Sequence, residues 1–422
     1  MTATPTARPK ARARETSETA TMVLVFVTVL VGWIGFSLPY PVFSHLFLDR
    51  GGPLLAAATP QETRSLLLGI AIALYPAGQL VGAPLFGRWS DRHGRKPMLQ
   101  AALATTVAGA CLLAAGVTYG SLPLVLLGRF VAGLGEGNIA IVQSLAADVS
   151  SPATKARNFA LIGIAMDLGF VAGPILGGLL ADPALHPAFG FAFPFWTAVG
   201  LFALNALIVP LFLRERPRAA PGPLPPPSAR PVLRAVLSPA IAPLLALTFL
   251  TYWAIMIFFD FFPVFFVQSY GTPPAQLGIN AALLSVPLIL SGLVVGRLVA
   301  RHGSVAIAAV ALIFMGAGTL LFVAMSSELA HVLPAVLVAV GINFGQTATS
   351  VLTSDAAPEH EQGQVMGLYR AMTVAAGGLA ALAGGYCAAL SPAAPFLTAV
   401  AAAGAGLCLL LAWARRPRRA RG

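Results

Sequence analysis

The sequence predicts an all-α integral membrane fold: twelve transmembrane helices in two six-helix bundles related by pseudo-two-fold symmetry. Three observations carry this expectation: apolar runs of bilayer length along the whole chain, a one-sided distribution of basic residues, and a cationic phrase that occurs twice. Of 422 residues, 57% are hydrophobic and only 10% charged, with a mean hydropathy of +0.82. About 20 apolar residues cross a bilayer as a helix. Barrel strands would be about half as long and alternating, and the sequence has no such segments.

The runs place spans near 22–45, 66–86, 97–117, 121–145, 158–181, 191–213, 239–267, 276–297, 304–325, 331–352, 365–388 and 394–414. The first is too long for a cleaved signal peptide and lacks a small-residue cleavage site. Residues 1–20 are polar and read as a disordered tail. The stretch 214–237 carries Pro221, Pro223, Pro225, Pro226 and Pro227 among arginines and reads as an extended charged linker. It divides an N-terminal bundle (21–213) from a C-terminal one (238–414), which a basic tail follows (415–422).

Charge sets the expected orientation. Twenty-two of the 26 Lys and Arg fall in the two tails and in the loops after spans 2, 4, 6 and 8. Only Arg50 and Arg64 fall in loops on the other side, and Arg129 and Arg370 lie within spans. Basic loops stay in the cytoplasm, so a multi-pass protein of the plasma (inner) membrane with both termini cytoplasmic is expected. The net charge of +11 therefore reflects membrane topology, and no nucleic-acid partner is expected. Cys111, Cys387 and Cys408 sit in apolar runs and read as packing residues.

The repeated phrase is Gly-Arg-x-x-x-Arg-His-Gly. It opens Gly87-Arg88-Trp89-Ser90-Asp91-Arg92-His93-Gly94-Arg95-Lys96 after span 2 and returns as Gly296 to Gly303 after span 8, an offset of 209. Asp148 and Asp355 end spans 4 and 10 at an offset of 207, as do Gly177-Gly178 and Gly384-Gly385 in spans 5 and 11. Two sequence-related halves of six spans are one plan for a membrane carrier. Glycines in the first loop would let helix ends approach, and His93 and His302 read as structural.

Charges inside spans are costly and normally face a cavity or a partner. Arg129 and Glu136 stand seven residues apart on span 4, share a face and lie roughly 10 Å apart along the axis. Gln143 continues that polar stripe. Glu136 and Asp167 are expected at similar depth, and Asp167 lies off the stripe of Gly169, Gly173 and Gly177. Burial raises a carboxylate's affinity for its proton and a nearby arginine lowers it, so Glu136, Asp167 and Arg129 are the candidates for proton coupling. Asp260 in span 7 stands among Tyr252, Trp253, Phe258, Phe259, Phe261, Phe262, Phe265 and Phe266. Aromatics with one carboxylate suit a lipophilic cation. Asn343 and Gln346 add neutral polar groups in span 10, where Asn343 matches Glu136 under the 207 offset; with Asp260, Trp253, Tyr252 and Gln143 they are the candidate substrate-cavity residues. Arg370 is expected near the cytoplasmic mouth.

These motifs resemble the major facilitator superfamily, and within it the twelve-helix drug:proton antiporters that include the tetracycline exporters. The resemblance covers about 22–414 and rests on the Gly87–Lys96 loop, on Arg129-x-x-x-Gly133-x-Gly135 in span 4, and on Gly169-x-x-x-Gly173-Pro174-x-x-Gly177-Gly178 in span 5. It implies a secondary active transporter working by alternating access, coupling protons to export of small lipophilic molecules or drugs, cations among them. It implies a cytoplasmic gate at Gly87, Asp91, Arg92, Gly94, Arg95 and Asp148, and a sealing antiporter helix at Gly169, Gly173, Pro174, Gly177 and Gly178. In the second loop Ala300 replaces the aspartate, so any latch there should be weaker. The family's exporters often carry an acid in span 1. The matching stretch Gly32–Pro41 has none, which shifts the proton role to spans 4, 5 or 7.

The chain is expected to act as a monomer without metal or organic cofactor, driven by the proton gradient. Uptake or exchange of a polar metabolite (sugar, organic acid or amino-acid derivative) is the alternative on the same fold. A non-transporting sensor or scaffold would normally bring a sizeable soluble domain, and no loop is long enough for one. Six scattered histidines with no phosphate loop, Cys-x-x-Cys or nucleophile–base pair argue against an enzyme or an ATP-driven pump.

Overall fold

The computed structural model describes residues 8–151, 154–213, 238–358 and 361–415; the linker 214–237 and residues 416–422 of the tail lie outside them. The described residues form helices and no strand. Span 1 is Arg8–Ser37 followed by the short helix Tyr40–Leu48; span 2 is Gln61–His93 and span 3 Arg95–Thr118. Span 4 is Leu122–Gly135 and Asn138–Val149, span 5 Lys155–Leu180 and span 6 Phe193–Phe212. The C-terminal half holds Ala242–Tyr270, Pro274–His302, Ser304–Ala324, Val332–Asp355, Gln362–Leu390 and Ala394–Ala414 as spans 7 to 12. Eleven are long and apolar enough to cross a membrane as single segments, and the broken span 4 supplies the twelfth.

Three boundaries differ from expectation. The tail is helical from Arg8, because Pro9 sits in the first turn, where its missing N–H is harmless, and no Gly or Pro follows before span 1. Span 1 breaks at Leu38–Pro39 and runs on to Leu48, since Pro39 and Pro41 cannot continue the hydrogen-bond ladder. Span 4 breaks at Glu136–Gly137 and ends at Val149. Gly133, Gly135 and Gly137 pack there against spans 2 and 3, and the amides of Glu136 and Gly137 bond only three residues back, to Gly133 and Leu134.

The two copies of the repeated phrase fold alike. Gly94 (φ 96°, ψ 156°) and Gly303 (φ 83°, ψ 150°) make the turns between spans 2 and 3 and between spans 8 and 9, in a region that side chains disfavour. His93 and His302 each place Nδ1 3.1 and 3.2 Å from the carbonyl four residues earlier. Both therefore help end a helix. Gly87 has open space around it, so the expected close approach at that glycine is not made in this conformation.

The halves meet through spans 2 and 11, through spans 5 and 8, and through Tyr40–Leu48, which reaches spans 7 and 8. With twelve spans both termini lie at one end, the end that carries the basic loops. At the opposite, far end the halves are in backbone contact. A Cβ on Gly69 would stand 2.7 Å from Gly385 Cα and from the Ala381 carbonyl oxygen, and one on Gly178 would stand 2.6 Å from the Pro274 carbonyl oxygen. Toward the basic end the same helices part. A Cβ on Gly87 of span 2, Gly163 of span 5, Gly296 of span 8, or Gly363 and Gly367 of span 11 would meet nothing within 4 Å. Pro76 beside Gly378 and Phe170 beside Phe259 mark mid-depth contacts between the halves. The molecule is thus closed at the far end and splayed at the basic end.

Candidate functional site: a charged cavity between the halves

Span 2 explains where Arg129 goes. Pro76 has no N–H, so the Ile72 carbonyl loses its helical partner. Arg129 Nη2 donates to that carbonyl at 3.3 Å, and its Nε donates to the Ala71 carbonyl at 3.0 Å. The guanidinium lies between two rings, 4.8 Å from the centroid of Tyr75 and 5.1 Å from that of Phe43. A cation held by aromatic faces and carbonyls keeps its charge without an ion-pair partner on its own half. The Tyr75 hydroxyl then donates to Glu136 Oε2 at 2.7 Å. Tyr75 was not among the expected residues; the sequence signal was a mid-span tyrosine next to a proline.

The C-terminal half answers with opposite signs. Asp260 lies within electrostatic range of Arg129 and of Tyr40, and Arg370 within range of Glu136 and of Tyr252. Each half therefore contributes one cation and one anion, placed crosswise without direct ion pairs, with Arg129 and Asp260 the layer nearer the far end and Glu136 and Arg370 the layer nearer the basic end. Asp260 and Arg370 make no side-chain hydrogen bond or ion pair among the described residues, and Arg370 is exposed. Tyr252 reaches the Tyr369 hydroxyl at 3.3 Å, and Tyr369 donates to the Gln346 carbonyl at 3.2 Å.

Asp167 is exposed and without a hydrogen bond or ion pair among the described residues. It shares a helix face with Pro174 and Gly178, which touch Gly278 and Pro274 of span 8. It therefore faces the gap that opens between spans 5 and 8, and no contact joins it to Glu136. Gln143 is likewise exposed below Glu136 on span 4.

Several expected placements are corrected. Phe258, Phe261, Phe262, Phe265 and Phe266 are buried in the C-terminal half, the first, third, fourth and fifth of them ringed around Phe322. They are core, not a cage for Asp260. Apolar rings on both sides of span 7 hid this division; Phe259 meets the other half through Phe170 at 5.4 Å. The Trp253 indole N–H is taken by Thr398 of span 12 at 3.3 Å. Asn343 donates to the Leu288 carbonyl of span 8 at 2.6 Å, so its amide ties two C-terminal helices together. Gly169, Gly173 and Gly177 pack on Trp33, Ser37 and Leu38 of span 1, within the N-terminal half; Pro174 and Gly178 alone of the glycine–proline motif meet span 8.

At the basic end Asp91 pairs with Arg95 at 3.0 Å, and Arg95 reaches Asp148 at 3.4 Å and Ser90 Oγ at 2.9 Å. All four belong to the N-terminal half. Arg92 is exposed and makes no ion pair among the described residues. In this open-ended conformation the loop touches its own bundle.

Crossed charges between two six-helix halves that meet in backbone contact at the far end point to a membrane carrier. The chain belongs to the Major Facilitator Superfamily, whose family model matches residues 24–273 and 244–422. The superfamily consists of transporters, not enzymes. The chain is 30% identical over 221 residues to major facilitator superfamily domain-containing protein 10 of Bos taurus, covering 48% of this chain and 46% of that protein. It is 30% identical over 194 residues to the class C tetracycline resistance protein of Escherichia coli, covering 46% and 45%. The matched segments span about half the length of these curated relatives. Among solved structures, the human organic anion transporter MFSD10 superposes with a TM-score of 0.66 at 22% identity, over 93% of this chain and 99% of that one. A bacterial homologue of the iron transporter ferroportin gives 0.72 at 16% identity, over 94% and 98%. At those identities the likeness shows the fold.

Proposed function

We propose that the protein is a proton-coupled exporter of small lipophilic molecules, cations among them, working by alternating access in the plasma (inner) membrane. The crossed set Arg129–Asp260 and Glu136–Arg370 carries this reading. Acids that cargo and proton can both reach, in a cavity open at one end only, are what exchange requires. On the positive-inside rule the basic end is cytoplasmic, so the conformation described is open to the cytoplasm. Glu136 is the leading proton carrier because Tyr75 and Arg370 bracket it. Asp260 and Tyr252 face the cargo. The tetracycline resistance relatives support export. On this reading the proton gradient drives the cycle without a metal or organic cofactor, and the working unit is a monomer.

A second reading has a specific observation behind it. Arg370 is an exposed cation on span 11, and one structural neighbour is an organic anion transporter. Exchange of an organic anion would use Arg370 where the first reading uses Asp260. Proteoliposomes with an internal pH dye test both. Addition of a lipophilic cation should release protons in a Glu136-dependent manner. A response to organic anions alone would select the second reading, and cargo flux without any proton movement would reject coupling.

A further inference from the structure

A small cavity lies inside the N-terminal half, beside the break in span 4. Thr28, Gly32 and Trp33 line it from span 1, Leu103 from span 3, Glu136 and Val142 from span 4, and Asn205 from span 6. Its described lining residues all belong to one half. It encloses about 20 Å³, and an internal water needs roughly 10–15 Å³.

Three polar atoms of these residues are buried and have no hydrogen-bond partner among the described residues: Thr28 Oγ1, Trp33 Nε1 and Asn205 Oδ1. Such groups are costly when nothing answers them, the more so within a bilayer. Local partners exist for their kind and are not taken here. Thr105, Thr106 and Thr118 of span 3 turn their hydroxyls back to the carbonyl four residues earlier, and Thr28 does not. The indoles of Trp196 and Trp253 donate to threonine hydroxyls, and Trp33 does not. Asn205 donates its Nδ2 to the Thr28 carbonyl at 2.8 Å, which fixes the amide and leaves Oδ1 as an acceptor. Glu136 accepts from Tyr75 at Oε2, and its Oε1 makes no hydrogen bond among the described residues.

The inventory has a pattern. Trp33 and Thr28 offer donors, and Asn205 and the Glu136 carboxylate offer acceptors. Two donors and two acceptors are the complement of a water molecule, which accepts two hydrogen bonds and donates two.

We propose that this cavity is a water-binding site: ordered water joins Thr28, Trp33 and Asn205 to the Glu136 carboxylate. Spans 1, 4 and 6 are tied together there by a polar contact that no side chain supplies. Glu136 has hydration of its own inside the half that carries it, apart from the solvent that enters between the halves. Closing the basic end removes the second supply and leaves the first. On the transport reading above, Glu136 would keep a hydrogen-bonded water in every state of the cycle. The site itself rests on the cavity and its polar groups, not on that reading.

Radiolytic labelling in nanodiscs, with no cargo and no gradient, tests the site. X-rays split water into hydroxyl radicals, which mark the side chains beside a bound water before they can diffuse away. Leu103 and Val142 line the cavity and are 2% and 1% exposed, so bulk solvent does not reach them. Leu244 and Val338, each 1% exposed in the core of the other half, are matched references. Millisecond exposures should label Leu103 and Val142 severalfold more than Leu244 and Val338. Gly32→Ala should bring the first pair down to the level of the second. A Cβ at Gly32 would meet only Asn205 Nδ2 within 4 Å, at 3.6 Å, so the methyl takes the room of the water without a clash. Thr28→Val keeps the shape and deletes the hydroxyl. Deleting a hydroxyl that water answers should lower the melting temperature by a few degrees, whereas deleting one with no partner would raise it. Equal labelling of the two pairs, labelling that survives Gly32→Ala, or a Thr28→Val protein that melts higher would each overturn the site. If Gly32→Ala does not fold, labelling of the parent and melting of Thr28→Val still decide. A chain that labels as expected but moves no protons in the liposome assay keeps this site and loses the transport reading; one that couples protons without the labelling does the reverse.

Discussion

The Tyr75 hydroxyl stands 2.7 Å from Glu136 Oε2 while the face of its ring lies 4.8 Å from the Arg129 guanidinium. One side chain of span 2 thus touches both charges of span 4 and holds them apart. Tyr75→Phe keeps the ring under Arg129 and deletes the donor. Losing a hydrogen bond to a buried carboxylate costs about 1–3 kcal/mol. Turnover should fall by roughly 5- to 150-fold, while the melting temperature of the purified protein changes by only a few degrees. Unchanged turnover would mean that Tyr75 merely fills space.

Glu136→Gln preserves shape and removes titration. Gradient-driven uphill efflux should be abolished, and downhill exchange of cargo between the two sides should persist. Normal uphill efflux in this variant, with loss in Asp167→Asn or Asp260→Asn, would move the proton to span 5 or 7. Pumping by all three would remove these acids from the coupling step.

Asp91 and Arg95 form a partly exposed pair, and such pairs contribute at most about 1 kcal/mol to stability. Asp91→Asn should therefore leave the melting temperature and the cargo Kd nearly unchanged. It should slow cycling, because the loop is expected to engage the other half when the basic end closes. A tenfold loss of equilibrium binding with normal turnover would remove the loop from gating.

Backbone contact at Gly69 and Gly385 leaves no room for a side chain. Gly385→Leu should wedge the far end open. A cysteine replacing Phe259, in a background lacking the native cysteines, should then react with a membrane-impermeant thiol reagent added from the far side, and should be protected when Gly385 is retained.

Much of this fold was written in the sequence. Apolar runs gave the spans and their order, and the 209-residue offset anticipated two turns that share the same positive φ at Gly94 and Gly303. Arg129, Glu136, Asp260 and Arg370 were visible because charge in a span is costly without a partner or a cavity. Their crosswise placement was not visible, since it depends on how spans 2, 4, 7 and 11 converge. The phenylalanines of span 7 misled because rings facing a core and rings facing a cavity look alike in a one-dimensional run. Tyr75 and Asn205 went unnoticed for another reason: their partners are backbone carbonyls or residues far away in the chain, and neither leaves a local pattern.

The crossed charges also bear on electrical behaviour. With Asp167 the cavity counts two cations and three anions, a sum of minus one when all are ionised. One proton or one monovalent cation brings that sum to zero. Moving an unbalanced unit charge through a potential of 100 mV involves about 2.3 kcal/mol, and a dehydrated charge in the bilayer centre adds a voltage-independent barrier. On the cation reading, a carrier loaded with either occupant reorients as a neutral body, whereas the empty one does not. The membrane field would then suppress idle turnover and leave the two loaded states as the easy paths, so that tight exchange needs no separate device to prevent leak.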